Sequence, residues 1–269
     1  MKRSIKKTAL LASMALLTAS PLFAAEKITI AGDPCSLPLI QKVVEAYKEK
    51  IDNKLEVEFT KVGCMMGVYQ AANQKYDIGV STQNGLSTNL PKGASLRVVG
   101  KAPIVLLVNK ANPLTDITYE QLQGIFSGEI TNWKEVGGKD LAIKNVMLEP
   151  CVKHTMSKKV IPYGQELAQL KPDKKVNPVA HTNTMVSEND GAIGQQLYGY
   201  ETSDVKVLTV DGVTATEENL KSGKYTFFEE YNIVTRGEPT GTIGKLIDFA
   251  SGPEGEKVMR AMKHVPQAS

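Results

Sequence analysis

Three cysteines, Cys35, Cys64 and Cys151, are the residues of this chain whose types and spacing could do chemistry. Each follows a stretch of strand character and precedes one of helical character: "KITIAG" before Cys35, "KLEVEFTKV" before Cys64 and "AIKNVMLE" before Cys151. A thiol at the start of a helix lies near the positive end of the helix dipole, which favours the thiolate. Thiolate sulfur favours soft centres such as Cu(I) or Zn(II). Three thiolates meeting at one atom would make a trigonal site, suited to pyramidal As(III). Gly63 turns the chain before Cys64, Met65 and Met66 follow it, and His154 lies three residues past Cys151 on one helix face. One expectation is therefore a soft-metal site on Cys35, Cys64, Cys151 and His154. Plainer readings stand beside it. Methionines such as Met65, Met66, Met147 and Met156 fill cores, and a histidine such as His154 sits at a surface. Cys35 and Cys64 could also pair in a disulfide, leaving Cys151 free. An odd count leaves at least one thiol unpaired within the chain.

The elements that must position these residues alternate. After "KITIAG", Pro38 suits the first turn of a helix over "SLPLIQKVVEAYKEK", where its missing N–H costs nothing. "KLEVEFTKV" reads as a strand, "GVYQAANQK" as a helix and "YDIGVS" as a strand. "APIVLLVNK" has the continuous apolar run of a strand buried on both faces. "TYEQLQGIF" is a helix, "AIKNVMLE" a strand and "CVKHTMSKKVIPYG" a helix. "GAIGQQLYGY" reads as a turn and helix, "VKVLTV" as a strand, and "YTFFEEYNIVTRG" as an extended segment. Two helices broken at Ser251 to Pro253 close the chain. This order predicts an α/β architecture with mostly parallel sheets flanked by helices. The extended segments 103–109 and 225–235 are expected to cross between two lobes.

The first residues read separately. "MKRSIKK" is basic, "TALLASMALLTA" apolar, and "SPLFAA" ends in small residues, the pattern of a secretory signal peptide over residues 1–24. No cysteine near the cut supports a lipid anchor, and the apolar run is shorter than a membrane span needs. Removing four basic residues takes the formal charge from +3 to −1, so the apparent basicity belongs to the leader and gives no reason to expect nucleic acid. A periplasmic, oxidising location follows, and with it a reason to count cysteines. Catalytic motifs are missing from the sequence: it holds no Cys-x-x-Cys, Cys-x-x-Cys-His or His-Glu-x-x-His run and no nucleophile elbow. The chain is read as no enzyme and as needing no cofactor, with a thiol redox enzyme as the remote alternative.

Seven stretches, in order, resemble the PstS-like, phosphate-binding solute receptors of bacterial ABC importers, which are type II periplasmic binding proteins. They are "AGDPCSLPLIQK", "YDIGVS", "IVLLVNKANPL", "IFSGEITNWKEVGG", "GAIGQQLYGY", "TVDGV" and "IDFASGPEGEKVM", and they cover essentially the whole mature chain. The resemblance implies two α/β lobes around a ligand cleft, with lobe 1 formed by 25–105 and 229–269 and lobe 2 by 106–228. It also implies a monomer that hands its solute to an ABC permease or presents it to a membrane sensor kinase.

Against that family pattern, the cleft loops depart in one direction. Cys35 in "GDPCSLPL", beside Ser36, and Cys64 in "GCMMGV" fall where the family carries hydroxyl residues. In "MLEPCVK", Cys151 falls on a serine position and Met147 where arginine would stand. The ligand set expected on this basis is Cys35, Cys64 and Cys151 with Ser36, Gly63, Met65, Met66, Thr82 and Glu149; Asp190 is a further cleft candidate. The corresponding solute is thiophilic, arsenite or a similar As(III)/Sb(III) species. Phosphate or another hard oxyanion, and Cu(I), remain alternatives. Trp133 reads as packing, and the lysine-rich "HTMSKKV" and "LKPDKKV" as solvated faces.

Overall fold

The computed structural model describes residues 27–148, 151–160, 174–176 and 180–267. The leader expected over 1–24 lies outside the described residues, as do Glu149 and the side chains of Met147, Cys151 and His154.

The first βαβαβ run follows the sequence pattern closely: β1 (Lys27–Gly32), α1 (Leu37–Lys50), β2 (Glu56–Lys61), α2 (Met66–Ala72) and β3 (Ile78–Ser81). α1 forms because Leu39, Ile40, Val43, Val44 and Tyr47 recur on one face, which is buried. β1 pairs parallel with both β2 and β3. α2 lies so close to β1 that a Cβ at Gly67 would meet the Ala31 carbonyl oxygen at 2.5 Å.

β4 (Ala94–Asn109) runs for sixteen residues, well beyond the "APIVLLVNK" run. Then come β5 (Asp116–Ile117), α3 (Tyr119–Ser127), β6 (Lys144–Leu148), α4 (Cys151–Val160), β7 (Lys174–Val176), α5 (Ala180–Ser187), β8 (Ala192–Leu197) and β9 (Val205–Val210). α6 (Glu217–Lys221), β10 (Phe228–Arg236), α7 (Gly241–Ser251), α8 (Pro253–Ala261) and β11 (Val265–Pro266) complete the chain.

Among the described residues the strand order is β2-β1-β3-β10-β4-β8-β6-β7, with β9 and β11 also on β4. The result is a two-lobed mixed α/β fold, a curled sheet flanked by helices. Pairing is parallel at the two ends, β1 with β2 and β3 and β6 with β7 and β8. It is antiparallel at the centre, where β4 meets β10, β11, β8 and β9. The first half of β4 (94–103) pairs with β10, and the second half (104–109) with β8 and β9. One strand thus belongs to both halves of the sheet, and Val105, Leu106, Leu107 and Val108 are buried within it.

"GAIGQQLYGY" departs from its sequence reading. It forms β8, a central strand buried along its length, and not a helix. The reason is the ladder: β4 pairs on one side and β6 on the other, and α5 packs onto Gly194, where a Cβ would lie 2.9 Å from Thr182 and Val186 methyl carbons.

The "IFSGEITNWKEVGG" stretch is a structural signature. Thr118 and Gln121 form a capping box at the start of α3, and Asn132 and Glu135 form another at the next short turn. Gly128 and Gly137 end these turns at φ 81° and 87°, a region that side chains resist. Trp133 is buried and donates its indole N–H to the Gly191 carbonyl at 2.9 Å, which ties this stretch to the approach of β8.

Candidate functional site

β1 ends at Gly32, which passes so close to β3 that a Cβ would meet Val80 at 2.2 Å. The next residue, Asp33, is fully buried. One of its carboxylate oxygens accepts the backbone N–H groups of Cys35 and Ser36, each at 2.8 Å. The other accepts the Thr82 N–H at 3.0 Å. Burial raises the Asp33 pKa, and the amide donors oppose that shift.

Cys35 is a free, buried thiol. Its pKa is raised well above the usual thiol value, first by desolvation and then by the Asp33 and Glu229 carboxylates, with a Thr82 hydrogen bond opposing. The thiolate expected from its place before a helix is therefore not favoured: two buried carboxylates and lost hydration outweigh the helix dipole. The Cys35 carbonyl accepts the Tyr231 and Tyr200 hydroxyls at 3.3 and 3.5 Å. Ser36 is buried, and its hydroxyl donates to the Asp33 carbonyl at 3.2 Å, so it works within the loop.

The second loop carries Gly63, Cys64 and Met65 into α2. Cys64 is disulfide-bonded, whereas Cys35 is free, so the Cys35–Cys64 pairing is not formed. A bonded Cys64 also offers no thiolate to a three-sulfur site. Met65 packs against the small cluster of Val68, Leu86 and Val234, which is a structural role. Met66 is exposed, and a Cβ at Gly63 would meet nothing within 4 Å. Among the described residues no group of three His, Cys, Asp or Glu side chains is placed to hold a metal ion. Glu149 and the side chains of Cys151 and His154 lie outside the described residues. Asp190 is exposed and lines no part of the cavity described next.

That cavity, about 340 Å³, opens where three elements meet. Thr82, Gln83 and Asn84 follow β3; Thr155, Lys158 and Lys159 lie on α4; Phe228, Glu229 and Glu230 begin β10. Asn84 links all three, donating to the Phe228 carbonyl at 2.8 Å and reaching the Thr155 hydroxyl at 3.4 Å. Asn232 of β10 donates to the Gln83 carbonyl at 2.8 Å. Glu229 is buried, and its pKa is raised well above the usual carboxylate value by desolvation. Thr155 and Lys159 oppose that shift, whereas Asp33 and Glu230 add to it. Burial lowers the Lys159 pKa, partly offset by Glu229. Its ammonium lies 5.1 Å from the Phe228 ring centre, and that of Lys101 lies 4.5 Å away.

Of the expected ligand residues, Thr82 alone among those with described side chains lines this cavity. Sequence reasoning missed Asp33, Asn84, Thr155, Glu229 and Glu230; it set Lys158 and Lys159 on a solvated face, where Lys158 is indeed exposed while Lys159 is half-buried, and both line the cavity. Thr155 and Lys159 stand four residues apart and so share a helix face, a signal the sequence did carry. Nothing local marks Glu229, because its place depends on the pairing of β10 with β4.

With this fold and cleft, residues 18–253 match the PBP superfamily domain, and the chain belongs to that superfamily. Within it the chain is PstS-like. It is 25% identical over 247 residues to the phosphate-binding protein PstS of Borreliella burgdorferi, covering 86% of this chain and 87% of that protein. It is 27% identical over 242 residues to the phosphate-binding protein PstS of Bacillus subtilis, covering 87% and 78%. The crystal structure of a putative phosphate ABC transporter substrate-binding protein with bound phosphate from Clostridium perfringens superposes with a TM-score of 0.81 at 26% identity, covering 90% of this chain and 100% of that one.

Proposed function

We propose that the protein is a non-catalytic solute receptor that captures a phosphate-class oxyanion in the cavity between the Thr82 loop, α4 and β10. The observation that carries this reading is the pair of ammonium groups of Lys158 and Lys159 on α4, which line about 340 Å³; the Thr82 and Thr155 hydroxyls beside them already bond to Asp33 and Glu229. Charged donors make the shorter and stronger hydrogen bonds to anionic oxygens. Likeness to receptors named for phosphate supports the solute class. Two lobes joined by β4 and β10 suit closure about a hinge, with 25–105 and 229–269 as one lobe and 106–228 as the other. The leader-like N-terminus supports delivery to the periplasm. An ABC permease is the downstream partner favoured by the Clostridium perfringens likeness. A membrane sensor kinase would read the same closed surface.

The thiophilic reading, arsenite or a similar As(III)/Sb(III) species or Cu(I), is the weaker one. It would need Cys64 released from its disulfide and Cys35 deprotonated. Calorimetry with phosphate, arsenate, arsenite and Cu(I), each with and without reductant, tests the choice. Phosphate should bind without reductant, survive Cys35→Ser, and weaken about tenfold or more, 1.4 kcal/mol, in Lys159→Ala. Binding confined to arsenite or Cu(I) in reductant would overturn the oxyanion reading.

A further inference from the structure

Glu229 is among the residues that line the candidate cavity. The side chain is 1% exposed, and one carboxylate oxygen has no hydrogen-bond partner. Leaving a buried acceptor unmade costs about 1–3 kcal/mol, more for a charged group. Such a group calls for a donor that the protein alone does not supply. The lining groups point the same way: Glu229 and Glu230 stand with Lys158 and Lys159, and a ligand cation against Glu229 would offset the burial that raises its pKa. Size agrees. A volume of about 340 Å³ falls in the range of pockets that hold small organic ligands. The Phe228 ring, already facing two ammonium groups, shows that a cation is accommodated at this wall.

We infer that the site takes an oxyanion bearing an amino group, an aminoalkyl phosphonate or phosphate ester, with the anionic end on Lys158 and Lys159 and the ammonium on the free oxygen of Glu229. The inference rests on the reading of this cavity as the solute site and narrows its ligand class. Glu229 is then the residue that sets specificity: it distinguishes an aminoalkyl ligand from the same ligand without nitrogen.

Calorimetry of the full mature chain with inorganic phosphate, ethylphosphonate and 2-aminoethylphosphonate tests it. 2-Aminoethylphosphonate should bind at least about tenfold more tightly than ethylphosphonate, and Glu229→Gln should remove that preference. If Glu229→Gln does not fold, the wild-type comparison still decides, and Glu230→Gln should keep the preference. Equal or tighter binding of ethylphosphonate, or a preference unchanged in Glu229→Gln, would overturn the inference. Phosphate binding with no amine preference sinks this inference and leaves the receptor reading standing; no binding of any of the three sinks both.

Discussion

The Asp33 carboxylate joins the first cleft loop to the end of β3, accepting the Thr82 N–H at 3.0 Å and the Thr82 hydroxyl at 3.3 Å. It also accepts the amides of Cys35 and Ser36, the two residues that lead into α1. The start of a helix would otherwise offer these amides to an anion. Here the chain's own carboxylate takes them.

Removing that carboxylate should be costly. Asp33→Ala strands three buried amide donors, and hydrogen bonds to a charged group are each worth about 1.5–3 kcal/mol. A loss on the order of 3 kcal/mol or more is expected in urea unfolding, with a smaller loss for Asp33→Asn. A change within the error of the measurement in Asp33→Ala would show that the loop does not depend on this bridge.

His264 should make the protein sensitive to mild acid. It is buried against the Tyr200 and Tyr231 rings, at 5.6 and 5.1 Å, and desolvation lowers its pKa from 6.5 to about 4. The folded state holds the ring neutral while the unfolded state takes up a proton. Stability is therefore complete above pH 6.5 and falls as pH drops toward about 4, by about 3 kcal/mol in all. His264→Leu should flatten unfolding free energy across this window; an unchanged slope would assign the acid sensitivity elsewhere.

Alkylation in denaturant without reductant should label one cysteine, Cys35, because Cys64 is held in a disulfide. In the folded protein Cys35 should react slowly, since it is buried and its thiolate disfavoured. Three labels per chain would remove the disulfide and reopen the three-thiol site.

Gly67→Ala should destabilise the first lobe. Its Cβ would meet the Ala31 carbonyl oxygen at 2.5 Å, and a Cβ at Gly79 would meet the Gly67 carbonyl oxygen at 2.4 Å, so helix and strands have no room to part. A cost of about 1–3 kcal/mol is expected, read as a fall of several degrees in Tm. An unchanged Tm would mean that α2 shifts freely.

Much of the fold was legible because its signals are local. α1 and α3 carry their helical spacing, and the first carries Pro38 and the second a capping box in the residues themselves. The break between α7 and α8 at Gly252–Pro253 was likewise readable. β8 was not, since "GAIGQQLYGY" becomes a strand through partners on both sides, and neither lies near it in sequence.

The site was legible only in part. Local pattern placed three cysteines between strands and helices, and placed Thr82 after β3. It could not say that Cys35 would be buried beside Asp33 and Glu229, where lost hydration first and then those carboxylates oppose the effect of a helix start on a thiol. It could not bring Lys159 of α4 against Phe228 of β10, which is 69 residues away.

By itself the sequence determined the α/β alternation, the receptor-like order of motifs and the loops that could bear ligands, because periodicity and caps act over a few residues. The tertiary structure alone decided which side chains face one another. Desolvation, disulfide pairing and the meeting of charges depend on distances between remote segments, and those decided that Cys64 is bonded, that burial disfavours the Cys35 thiolate, and that Glu229 and two lysines share a cavity.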